Sequence, residues 1–116
     1  MDKMMAFAAA SAIFLLTALA ASANPPNRVF AEYDSARQEL GVQVEHIVSN
    51  AHSHFIEKVV IYKNGVEVTS KSFDFQTGKR EQTMIPFKLP AVTGDTIKVI
   101  ATCSRGGSGS TTITVE

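Results

Sequence analysis

Apolar and polar residues alternate along much of the chain after residue 27, with the period of a β-strand. From Leu40 to Val48 every second residue is apolar, except that His46 occupies one of these positions. Because side chains two residues apart lie on the same side of a strand, this pattern predicts a half-buried strand with His46 on its apolar face. The same alternation over Thr96–Cys103 places Cys103 on the apolar face of another strand.

Turn residues separate the remaining strands. Asn64 and Gly65 stand between two β-branched runs and predict a tight type I′ hairpin, because both residues tolerate positive φ. Pro86 interrupts another run, which predicts an edge strand or a bulge. The predicted strands are Arg28–Tyr33, Leu40–Val48, Phe55–Tyr62, Val66–Thr69, Gln82–Leu89, Thr96–Cys103 and Thr111–Val115. Seven short strands without a helix predict an all-β fold, a seven-stranded antiparallel immunoglobulin-like sandwich.

The first 23 residues predict a secretory signal peptide. Lys3 supplies a positive charge, residues 6–21 are almost wholly apolar, and Ala21-Ser22-Ala23 fits the small-x-small pattern that signal peptidase reads. A membrane anchor is the disfavoured alternative, because the stretch is short for a span of ~20 residues and no basic stop-transfer cluster follows it. We therefore expect one exported domain, residues 24–116, secreted or periplasmic and not membrane-bound after cleavage.

Charge restricts the classes of partner. The chain has eleven acidic and eleven basic residues, and no basic cluster or stripe. Nucleic acids and anionic lipid surfaces are therefore disfavoured as partners.

All three histidines fall within nine residues, in the stretch HIVSNAHSHFIEK that begins at position 46. The single cysteine, Cys103, cannot form a disulfide within the chain. It is a buried small hydrophobe, a partner in an intermolecular bridge or a thiolate kept for a metal.

His46 and Cys103 both stand near the ends of predicted strands, and His54 begins the strand that follows His46. Two such ends on facing sheets can meet at one end of a sandwich. Two imidazoles and a thiolate would suit iron, copper or zinc far better than magnesium or calcium. The alternative is that His52 and His54 are solvated loop residues and that Cys103 belongs to the core.

Three segments resemble the superoxide reductase (desulfoferrodoxin) iron domain. HFIEKVVIY at 54–62 resembles that family's His-Tyr-Ile-Glu-Trp-Ile-x-Leu-Tyr segment, and Val44–Ile47 partly matches its Val-x-His-Pro loop. Gly94–Cys103 resembles its final strand, which ends in Cys-Asn-x-His-Gly. The similarity extends from about Arg28 to Gly107, and it implies an immunoglobulin-like sandwich. It also implies a ferrous ion, held by four histidine nitrogens and one cysteine sulfur, that reduces superoxide to hydrogen peroxide at an open sixth position.

The resemblance carries three of the five ligand positions onto this chain: His46, His54 and Cys103. Asn27 and Gly106 occupy the places of the other two histidines. The interval between His46 and His54 is two residues longer than in the family, which leaves His52 as an alternative ligand. The resemblance thus implies an iron site with an incomplete ligand set, a site that takes copper or zinc instead, or a site that has lost its metal.

Two functions of other classes remain open. The chain also resembles the sulfur-oxidation carrier-binding protein SoxZ, another small sandwich, and Thr111–Val115 extends beyond the point where many superoxide reductase domains end. The other is a periplasmic protein that binds or delivers a metal. For that function the same residues would need only to bind the metal, without any catalysis. The expected partner is accordingly a redox donor or a carrier protein.

Overall fold

The computed structural model describes residues 25–116 of the chain. The predicted signal peptide, residues 1–23, lies outside the described residues. Within residues 25–116 no helix has the length and hydropathy needed to cross a membrane.

Seven strands make up the described part of the chain, which confirms the predicted all-β class. They are β1 (Arg28–Asp34), β2 (Glu39–Glu45), β3 (Ile56–Lys63), β4 (Val66–Ser72), β5 (Glu81–Lys88), β6 (Thr96–Cys103) and β7 (Ser108–Thr114). They form a three-stranded sheet in the order β1-β2-β5 and a four-stranded sheet in the order β4-β3-β6-β7. Every pairing is antiparallel, so the fold is the predicted antiparallel sandwich.

The core lies between the two sheets, and each inner strand contributes every second residue to it. The buried side chains of β2 come from Leu40, Val42 and Val44, and those of β6 from Ile97, Val99, Ala101 and Cys103. A fully buried Leu, Ile or Val side chain stabilises a fold by about 1.5–3 kcal/mol relative to its exposed state. The alternation read from the sequence therefore marks the positions that hold the sheets together.

Two turn signals have the predicted geometry. Asn64 and Gly65 have φ of 52° and 84° and form the hairpin between β3 and β4, since positive φ at both positions matches a type I′ turn. Pro86 lies in β5, at an edge of the three-stranded sheet, where a missing N–H is tolerated.

Near the histidines, β2 ends three residues before the predicted end at Val48, and β3 begins one residue later than predicted. β2 ends at Glu45, which pairs with Arg28, the first residue of β1. Beyond it, the backbone N–H of His46 donates to Arg80 O (2.8 Å) and that of Val48 to Lys79 O (2.7 Å), in the segment that leads into β5. β3 begins at Ile56, two residues after His54. Both histidines therefore lie just outside strands, at the same end of the sandwich.

Candidate metal centre

His46, His54 and Cys103 converge at one end of the sandwich. One potential ligand atom from each lies within 4.8 Å of the others. Cys103 is the last residue of β6, and it pairs in register with Ile56 at the start of β3, two residues after His54. His46 follows β2 in the opposite sheet. The group therefore joins three chain segments and both sheets.

The three side chains make close contacts with one another. His54 Nε2 lies 3.1 Å from Cys103 Sγ, and the rings of His46 and His54 meet edge to face with centroids 4.8 Å apart. His46 and Cys103 are 2% and 1% exposed, whereas His54 is half-buried. The group is thus closed on the core side, and His54 is its most solvent-accessible member.

A short turn positions His54. The carbonyl of Asn50 accepts hydrogen bonds from the N–H groups of Ser53 (3.3 Å) and His54 (3.0 Å), and its side-chain Oδ1 accepts from the N–H of His52 (2.9 Å). Asparagine favours such local bonds because its short side chain reaches the backbone two residues on. Just beyond the turn, the Phe55 N–H donates to Ser104 Oγ (3.1 Å), which attaches this segment to the chain after Cys103.

Gln76 fixes the orientation of His46, and nothing in the sequence indicated this role. Its Nε2 donates to two carbonyls, His46 O (2.7 Å) and Gly78 O (2.8 Å), so the amide has only one satisfactory orientation. Its Oε1 then accepts from the Ile56 N–H (3.2 Å) and lies 2.8 Å from His46 Nδ1. Because Oε1 can only accept, Nδ1 carries a hydrogen, and in the neutral ring Nε2 is then the nitrogen with the lone pair. Such a bond from the second ring nitrogen is what orients metal-binding histidines in general.

The pKa of His54 is lowered from its ordinary value, first by burial and then by the nearby His46 and Arg105. The shift favours the neutral imidazole, which is the form that binds metals. Arg105 also contributes through its backbone, whose N–H donates to Cys103 Sγ (3.3 Å) and helps to hold the sulfur in place.

His52, the alternative ligand, does not join the group. Its ring is exposed and stacks on Phe75, with centroids 5.3 Å apart and planes 24° apart. The structure therefore brings together three of the four sequence-predicted site residues and leaves His52 on the surface.

Solved structures share this architecture. An oxidised superoxide reductase is 16% identical, with a TM-score of 0.56 over 79% of this chain and 90% of that one. The chain has the superoxide reductase fold. A hypothetical protein from Pyrococcus horikoshii is 17% identical, with a TM-score of 0.53 over 79% and 89% of the two chains. A superoxide reductase (neelaredoxin) from Ignicoccus hospitalis is 19% identical, with a TM-score of 0.49 over 78% and 82%. No protein-family model and no curated protein matches the sequence.

Two positions that the superoxide reductase resemblance assigns to histidine have other uses here. Asn27 Oδ1 accepts the Ile47 N–H (3.0 Å), so this side chain supports the backbone just after His46. Gly106 has φ of +95° and lies in a tight turn, where its N–H donates to Cys103 O (3.0 Å). Neither residue supplies an imidazole, and within residues 25–116 the donor set consists of two histidines and one cysteine.

The donor distances fit a shared transition-metal ion. Ligand bonds of about 2.0–2.3 Å place two donors of one ion roughly 3–4.4 Å apart, depending on the angle between them. The 3.1 Å between His54 Nε2 and Cys103 Sγ lies within this range, and the largest separation of 4.8 Å lies slightly above it. A small movement of the side chains would therefore complete a three-ligand site.

Proposed function

We propose that the protein is an exported transition-metal-binding protein of the superoxide reductase fold, with His46, His54 and Cys103 as its protein ligands. The observation that carries the proposal is the convergence of these side chains from three separate segments to within 4.8 Å. Two of the three histidines and the only cysteine meet at this one place. Imidazole and thiolate donors together are typical of iron, copper and zinc sites.

The surroundings support a metal rather than a purely structural group. A neutral buried imidazole has one ring donor and one ring acceptor, and Gln76 Oε1 accounts for the donor of His46 at Nδ1. That bond favours the tautomer in which Nε2 is the ligating nitrogen, and the other three bonds of the Gln76 side chain fix the amide in the orientation that the bond needs. The lowered pKa of His54 keeps a second imidazole in its ligating form.

Superoxide reduction is the activity that the resemblance implies for such a protein. A redox-active ion bound here would supply one-electron chemistry. The chain's own contribution would be to shield the sulfur of Cys103 from water, to hold His46 in one tautomer and to leave access beside the half-buried His54. Those features favour a reactive centre, and consumption of superoxide by the metal-loaded protein tests this part of the proposal.

The proposal is tested by the metal content of protein purified anaerobically. We expect wild-type protein and the control His52→Ala to retain one metal ion per chain. His46→Ala, His54→Ala and Cys103→Ser should lose most of that metal while circular dichroism shows that the sheet fold is kept. Metal content equal in wild type and Cys103→Ser would overturn the proposal. Metal bound without superoxide consumption would assign the protein to metal delivery rather than to catalysis.

A further inference from the structure

The donor set differs from the one that the superoxide reductase resemblance implies, and the difference bears on which metal binds. Five ligands, four of them imidazoles, would hold iron in that family. Here, within residues 25–116, the group of potential ligands consists of His46, His54 and Cys103, with no further histidine or carboxylate. We infer that this site selects copper over iron, an inference that rests on the proposed function.

The missing imidazoles are not replaced by rearrangement of nearby side chains. Gly106 occupies a turn with positive φ, closed by its bond to Cys103 O and by the bond from Cys103 N–H to Gly107 O (2.9 Å). The backbone there favours glycine, since φ of +95° is strained for other residues. His52, the one remaining histidine, stacks on the ring of Phe75 instead of joining the group. The site thus has three protein donors.

Three donors of this kind match copper better than iron. Two imidazoles and one thiolate in a trigonal arrangement are the protein ligands of copper electron-transfer sites. Sites with nitrogen and sulfur donors also follow the order in which copper binds more tightly than either iron or zinc. With only three protein ligands, ferrous ion would need further ligands from solvent, and solvent can approach beside the half-buried His54 but not past His46 and Cys103, which are 2% and 1% exposed.

The surroundings of the sulfur favour an ion with few ligands. Cys103 pairs in register with Ile56, which is fully buried. The Ile56 N–H also donates to Gln76 Oε1, so the same glutamine connects the core under the sulfur to the ring of His46. This packing fixes two of the three donors and leaves little room for water on the core side.

The test is a competition between metals, using the full protein stripped of metal by a chelator under anaerobic conditions. Copper, ferrous iron and zinc salts are offered first singly and then together at equal concentration, and bound metal is measured after removal of the excess. We expect one copper per chain, retained in preference to iron and to zinc when all three metals are present at equal concentration. The cupric form should show an intense visible thiolate-to-copper band, which Cys103→Ser abolishes and His52→Ala retains.

The outcomes separate this inference from the proposed function. Iron or zinc retained against an equal concentration of copper, and lost in Cys103→Ser, would overturn the copper assignment and leave the metal-binding function intact. No metal retained by the wild-type protein would overturn both. Copper retained equally by wild type and Cys103→Ser would also overturn the inference, because the sulfur would then not be a ligand.

Discussion

Replacing Gln76 by leucine tests the link between the core and the candidate metal site. Gln76 is 2% exposed and its side chain takes part in four hydrogen bonds, two accepted by Oε1 and two donated by Nε2. Leucine has a similar volume but neither donor nor acceptor. The substitution would therefore leave the His46 Nδ1–H, the Ile56 N–H and two carbonyl oxygens without these partners.

The expected destabilisation follows from those bonds. A hydrogen bond contributes about 0.5–1.5 kcal/mol net, and a buried group left unsatisfied costs about 1–3 kcal/mol. Loss of the four side-chain bonds of Gln76 should then lower the free energy of unfolding by roughly 3–5 kcal/mol. Apolar contacts of the leucine side chain offset part of the full penalty. A loss of this size is a large share of the roughly 5–15 kcal/mol that stabilises a typical domain.

The assay is urea unfolding of the metal-free protein followed by circular dichroism, because the chain has no tryptophan. Gln43→Leu is the matched control. Gln43 is half-buried and its side chain donates one bond, to Glu81 Oε2 at 2.8 Å. Because water can solvate this half-buried carboxylate when the bond is lost, the replacement should lower the free energy of unfolding by only about 1–1.5 kcal/mol. Equal losses in the two variants would refute the argument that the Gln76 network is a principal support of this end of the sandwich.

A second readout separates orientation of His46 from stability. Loss of an outer partner of a metal-binding histidine typically reduces metal affinity by about 10–100-fold. Gln76→Glu keeps acceptors for the His46 Nδ1–H and the Ile56 N–H but loses both donated bonds, so it should lose stability and yet bind metal more tightly than Gln76→Leu. Unchanged metal affinity in folded Gln76→Leu protein would contradict the orienting role.

Three further predictions concern the core, acid stability and export. Ile61→Ala should lower the free energy of unfolding by about 2–5 kcal/mol, because Ile61 is fully buried. Val66 is 64% exposed, so Val66→Ala should change that free energy by less than about 0.5 kcal/mol. Equal urea midpoints for the two variants would contradict this prediction. The pKa of Asp95 is lowered, first by the hydrogen bond from the Asn64 side chain and then by the Val92 N–H. Its stabilisation is therefore complete above the unfolded-state pKa and is lost as pH falls through the folded-state value. The stability difference between wild type and Asp95→Ala should narrow in acid, and a difference independent of pH between neutral and acid solution would contradict the assignment. The intact mass of exported protein should correspond to cleavage after Ala23, and a product that keeps the leader would contradict the predicted signal peptide.

The alternation of apolar and polar residues predicted the strands well because each inner strand faces the core with one side only. His46 shows both the strength and the limit of that reasoning. Its place in the alternation predicted a buried side chain, and it is 2% exposed. The sequence did not reveal that β2 ends at Glu45, three residues before the predicted end, because the backbone partners of the following residues, Arg80 O and Lys79 O, belong to a loop more than thirty residues away.

The candidate site depends even more on distant contacts. The resemblance singled out three residues, but their proximity follows from the pairing of β3 with β6 and from the packing of one sheet on the other. The role of Gln76 could not be predicted from the sequence, because this residue lies in a segment without hydrophobic alternation or a recognisable motif. Its role arises only when that segment folds against the end of β2.

X-ray absorption at the edge of the bound metal tests most directly whether His46, His54 and Cys103 share one ion. For protein loaded with the metal that it retains, we predict one sulfur at about 2.3 Å together with imidazole nitrogens at about 2.0–2.1 Å. The sulfur contribution should vanish in Cys103→Ser and persist in His52→Ala. A coordination shell without sulfur in the wild-type protein, or one unchanged by Cys103→Ser, would contradict the shared site.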